Sequence, residues 1–140
     1  MRIFNASMII LLGFILCSCT GLFYSAKVGD IDGIKAAIEK GESIEKRNQV
    51  GRTALMMATY HKNPEAIEYL CDAGADINAQ DQNGATALIH AVFYNQLEET
   101  KILLKYNPDQ SIKDNYGYTA WQYADKYRYI DMLKLLEENY

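Results

Sequence analysis

The sequence predicts an all-α solenoid of about four stacked helix-turn-helix units, preceded by a signal peptide. Three observations carry this. The phrase Gly51-Arg-Thr-Ala-Leu-Met-Met-Ala58 returns as Gly84-Ala-Thr-Ala-Leu-Ile-His-Ala91 and as Gly117-Tyr-Thr-Ala-Trp-Gln-Tyr-Ala124, each time 33 residues on. A second apolar phrase keeps step: Ile67-Glu-Tyr-Leu70, Thr100-Lys-Ile-Leu103, Leu133-Lys-Leu-Leu136. Gly41, Gly74 and Asn107 share the spacing, and Gly and Asn enter the left-handed helix-ending conformation most readily. One such unit cannot bury its apolar face alone, so at least three must stack.

At the N-terminus, Arg2 precedes the apolar run Met8 to Leu16 (MIILLGFIL), and Cys17-Ser18-Cys19 follows. This is the order of a secretory signal, and the run is shorter than the ~20 residues of a membrane-spanning helix. Leu16-Cys17-Ser18-Cys19 resembles the bacterial lipobox, with Cys17 where Ala, Ser, Thr or Val is usual. That resemblance implies removal of residues 1–18 and a diacylglyceryl group on the thiol of Cys19. Thr20 follows, so the Asp that marks inner-membrane retention in some bacteria is absent. Two other readings stay open. Ile3 to Ala26 carries no formal charge and could be an uncleaved anchor, or cleavage could occur without lipid. Each places the remaining domain, residues 19–140, in the cell envelope, periplasmic or surface-exposed.

The repeats are read as about 20–48, 49–81, 82–114 and 115–140. The first is degenerate: Leu22-Phe-Tyr-Ser25 lies under Leu55-Met-Met-Ala58, and Ile34, Ala37 and Ile38 form the inner face of its second helix. In the others, Thr53, Thr86 and Thr119 are placed to cap the first helix, and Ala54, Ala87 and Ala120 favour its first turn. Leu55, Leu88 and Trp121 are expected to point inward, with Ala58, Ala91 and Ala124 one turn on. Lys35, Glu39 and Lys40 at one end, and Lys134, Glu137 and Glu138 at the other, suit polar outer faces.

These phrases, together with Gly74-Ala-Asp-Ile-Asn-Ala-Gln-Asp81, resemble the ankyrin repeat from about Leu22 to Tyr140. The family's consensus His is replaced by Met56, Ile89 and Gln122; Gln122 alone could hydrogen-bond to Thr119. Asp81 and Asp114 stand where ankyrin repeats use Asp to shape the next turn. The resemblance implies a domain that binds a protein partner through its turn tips and the exposed side of its first helices. Mapped onto this chain, that surface takes in Arg52, Met57, His61, Asn83 and His90, and a preferred set of Tyr94, Tyr116, Tyr118, Tyr123 and Tyr127. Tyrosine suits the role, offering a large rigid area and a hydroxyl with few torsions to freeze.

Chemistry elsewhere is sparse. The two histidines, His61 and His90, lie in different repeats without metal-ligand spacing, and both are read as surface or partner-contact residues. Cys71 shares a column with Ile38 and Leu104 and is read as a buried free thiol. No phosphate loop or nucleophile elbow occurs, so neither a catalytic site, a metal, a cofactor nor a small-molecule substrate is expected. The net charge is −4 without a basic block, which speaks against nucleic acid. The expected function is a membrane-anchored protein-binding module that scaffolds or inhibits its partner. Alternatives are an immunity-type inhibitor of a toxic enzyme, or an accessory factor that stabilises a periplasmic enzyme.

Overall fold

The computed structural model describes residues 21–139; the expected signal segment and Cys19 lie outside them. Eight helices follow in order: α1 (Leu22–Val28), α2 (Ile31–Glu39), α3 (Ala54–Tyr60), α4 (Pro64–Asp72), α5 (Ala87–Phe93), α6 (Leu97–Leu104), α7 (Ala120–Lys126) and α8 (Ile130–Glu138). No strand occurs among the described residues. Each odd-numbered helix pairs with the even-numbered one after it. The odd helices also contact one another in sequence, as do the even ones, so the molecule is two helical layers built from helix pairs.

The starts of α3, α5 and α7 follow from their threonines. Thr53, Thr86 and Thr119 accept the backbone N–H of Met56, Ile89 and Gln122 at 3.4, 3.2 and 3.2 Å, which satisfies a donor the helix cannot. At Thr119 the exchange is mutual, because its own N–H donates to Gln122 Oε1 at 2.9 Å. Met56 and Ile89 cannot reciprocate. Both are buried instead, so packing holds those two helix starts.

Three columns of left-handed backbone set the bends. Gly41, Gly74 and Asn107 end the second helices with φ of 92°, 89° and 50°. Gly51, Gly84 and Gly117 lie in the hairpin tips with φ of 77°, 73° and 82°. Gly29, Lys62, Asn95 and Arg128 turn the chain between paired helices, with φ of 74°, 59°, 53° and 59°. Just after that turn, Asn63 Nδ2 donates to the carbonyls of Ala26 and Lys27 (3.0 and 2.8 Å), and Gln96 Nε2 to that of Tyr60 (3.2 Å). Carbonyls left over at a first-helix end are thus satisfied by the following repeat.

The core runs between the layers. Leu22, Leu55, Ala58, Ile67, Leu70, Leu88, Ala91, Leu103, Met132 and Leu136 are all buried. Trp121 departs from expectation. Leu55 and Leu88 are each 1 % exposed, whereas Trp121 is 36 % exposed. Among the described residues no further repeat stacks on α7, so the same register position faces an open hollow of about 620 Å³ beside Thr119, Gln122 and Glu137. Cys71 is half-buried rather than buried, and it is free. Burial, with the nearby Asp72 and Glu68 charges, pushes its thiol up to about 12, so at neutral pH it is protonated and unreactive.

Candidate recognition surface

The hairpin tips are built by one side chain each. Asn48 Oδ1 accepts the N–H of Val50 and Arg52 at 3.0 and 2.9 Å. Asp81 Oδ1 accepts from Asn83 and Ala85 at 2.8 and 3.0 Å. Asp114 Oδ1 accepts from Tyr116 and Tyr118, both at 3.0 Å. Each thus fixes a local turn. Neighbouring tips are then joined: Gln82 Nε2 donates to Gln49 O at 3.0 Å, and Asn115 Nδ2 to Gln82 O at 2.9 Å. The tips form one hydrogen-bonded row.

The second polar atom of each tip residue reaches the first helix behind it. Asn48 Nδ2 meets Met57 Sδ at 3.6 Å, Asp81 Oδ2 meets His90 Nε2 at 2.9 Å, and the Tyr123 hydroxyl donates to Asp114 Oδ2 at 2.6 Å. A carboxylate only accepts, so His90 carries its proton on Nε2. Arg52 Nε lies 3.7 Å from the same Asp81 oxygen. Burial holds the His90 pKa below its ordinary 6.5, against the hydrogen bond and charge of Asp81, and with help from Arg52. Burial, then the hydrogen bond to Asp114, raises the Tyr123 phenol well above its usual range. Both side chains therefore stay in their neutral forms at pH 7.

This places two expected surface residues differently. His90 and Tyr123 are only 7 % and 5 % exposed. They are the buried struts of the tips, because an Asp nine positions earlier supplies the hydrogen bond that a polar side chain needs on leaving water. Tyr94, Tyr116, Tyr127 and Asn83 are exposed, while Arg52, Met57, His61 and Tyr118 are half-buried.

The structure adds two aromatics that periodicity alone did not single out, Tyr60 and Phe93, both exposed. They link the others. Tyr60 meets Tyr94 edge-on at 5.2 Å, Tyr94 meets Phe93 at 5.1 Å, and Phe93 meets Tyr123 and Tyr127 at 5.2 and 5.8 Å. These are the offset distances at which aromatic pairs attract. The Arg52 guanidinium lies 5.0 Å over Tyr60, and Lys126 Nζ lies 4.4 Å over Tyr118. The result is an aromatic ridge across the second, third and fourth repeats, flanked by cations. Between the ridge and the tips is a cleft of about 180 Å³, walled by Ile89, Phe93, Tyr94 and Tyr116, with His90 and Tyr123 also lining it.

A stack of helix pairs with a continuous row of tips defines a helical-repeat scaffold for binding protein. The chain belongs to the ankyrin-repeat family: the family model for ankyrin repeats (3 copies) matches residues 7–81 and 73–140. No curated protein matches it. Ankyrin repeats are protein-protein interaction modules, typically without catalytic activity.

Proposed function

We propose that the chain is a membrane-anchored binding module that scaffolds or inhibits a protein partner through the aromatic ridge. The observation that carries this reading is the continuous, partly exposed network of Tyr60, Phe93, Tyr94 and Tyr127 beside the row of tips. Aromatic anchors around a cleft are the usual centres of binding energy, and rings already packed lose little freedom when a partner arrives. Anchoring rests on the sequence: Leu16-Cys17-Ser18-Cys19 supplies a lipid acceptor three residues before Leu22, where α1 begins. So short a connection holds the domain close to the membrane surface, on the outer side. No helix among the described residues is long and apolar enough to cross a membrane.

Two measurements test this. Crosslinking in cells compares the wild type with Tyr94→Ala/Tyr127→Ala; a folded double variant that keeps every crosslinked partner removes the ridge from the proposal. Metabolic labelling with a fatty-acid probe compares the wild type with Cys19→Ser, and equal labelling of the two excludes Cys19 as the lipid acceptor.

A further inference from the structure

We infer that the ridge takes an acidic segment of its partner, with one apolar side chain of that segment seated in the cleft beside Phe93 and Tyr116; this rests on the ridge being the binding face. The first reason is that the tips and first helices present few exposed carboxylates. The net charge is −4, yet the tips and first helices hold only Asp81, Asp114 and Asp125 among the acidic residues. Asp81 and Asp114 are buried and engaged by His90 and Tyr123. Asp125 takes the register position of Ala26, Thr59 and Val92, which are buried in the earlier repeats, so it belongs to the open end of the stack. All other carboxylates lie in the second helices and their flanking turns.

Most cations also lie in the second helices and their flanking turns, but Lys27, Arg52 and Lys126 stand on the tips and first helices. Arg52 and Lys126 lie over rings of the ridge, and Lys27 shares the column of Tyr60, Phe93 and Lys126. Lys27 and Lys126 form no ion pair among the described residues. Arg52 is already paired with Asp81, but at Lys27 and Lys126 an incoming carboxylate meets positive charge that no ion pair among the described residues neutralises, on a chain whose total charge would repel it. Complementarity of this kind selects a partner and speeds encounter.

The second reason is the cleft. At about 180 Å³ it falls below the ~300–1,000 Å³ of typical small-molecule sites, and its walls are mainly aromatic and aliphatic. It suits a single apolar side chain anchored among the rings. An anionic membrane would also meet the cations, but it offers no side chain to fill the cleft.

The full chain is titrated with a short fluorescent peptide alternating Glu with Phe and Leu, with its Gln counterpart, and with phosphatidylserine/phosphatidylcholine vesicles, at low and high salt. The acidic peptide is expected to bind roughly tenfold more tightly than the Gln peptide, an advantage that salt erases. Lys27→Gln/Lys126→Gln, with unchanged circular dichroism and melting, removes that advantage; Tyr94→Ala/Tyr127→Ala weakens both peptides. Equal binding of the two peptides, still sensitive to the Tyr pair, overturns the acidic preference and leaves the ridge as the binding face. Binding indifferent to both double variants puts the site elsewhere and overturns both readings. Vesicle binding that the Lys pair abolishes, without peptide binding, assigns these cations to a membrane and overturns the inference.

Discussion

Leu88 in the third repeat and Trp121 in the fourth hold the same register position, and their surroundings differ because, among the described residues, a further repeat covers only the first. Glycine repeats the lesson. A Cβ on Gly84 would come within 2.6 Å of Asn115 Oδ1 and 2.9 Å of Asn115 N, whereas one on Gly117 would meet nothing within 4 Å. The tips add a chemical difference: Asp81 is shared by His90 and Arg52, while Asp114 bonds Tyr123. In a solenoid, then, a residue's role is set by its column and by whether the next unit covers that column. The third repeat should be mechanically central, and the fourth an end that tolerates change.

Paired substitutions sharpen this contrast, with stability read from urea unfolding. Leu88→Ala should cost about 2–5 kcal/mol, since it opens a cavity under a covered column. Trp121→Ala should cost clearly less despite removing more atoms; equal losses would break the comparison. Next comes Asp81→Ala, which strips a buried acceptor from two backbone N–H groups and from His90. It should cost about 2–4 kcal/mol, and Asp114→Ala less, with its effect confined to amide exchange in the fourth repeat. Gly117→Ala should cost about 1–2 kcal/mol from left-handed backbone alone, and Gly84→Ala more, because it also collides with the next tip.

A pH comparison follows. The folded pKa of His90 lies below 6.5, so on acidification the unfolded chain takes up the proton first. Stability present above pH 6.5 should fall as pH drops from 6.5 toward the folded pKa. His61 is lowered too, so the measure is the wild type against His90→Tyr, which copies the fourth repeat's Tyr123. The variant should lose the greater part of the slope; identical slopes would remove His90 as the cause. The smallest effect is expected at Lys62, held at φ 59°. Lys62→Gly should stabilise by at most about 1 kcal/mol, because relief of left-handed strain is partly offset by a more flexible unfolded chain.

The sequence made the architecture readable because its period is constant: the threonine caps, the helix-ending Gly41, Gly74 and Asn107, and the turn-shaping Asp81 and Asp114 all stand where the register places them. The surface was harder to read. A column shows which way a side chain faces along the repeat, but not what lies over it, and Trp121 therefore looked like core. His90 and Tyr123 looked exposed because a polar residue in a variable column suggests solvent. The missing clue was a correlation: where position 48 becomes Asp81 or Asp114, position 57 becomes His90 or Tyr123, a partner able to donate. Periodicity does not single out Tyr60 and Phe93, because their column begins and ends with lysine, Lys27 and Lys126. The strained Lys62 and Arg128 were signalled only by Gly29 and Asn95 at the equivalent places.

Gln82 grips Gln49, and Asn115 grips Gln82, each across a sequence gap of 33. The two joints from the second repeat to the fourth therefore share one grip, an amide side chain on a tip carbonyl. Removing one 33-residue unit from the interior would set a tip amide opposite a carbonyl of the kind it already meets, whereas a cut of another length would not. The tip row thus carries a standard coupling, which a unit inserted or removed whole would keep.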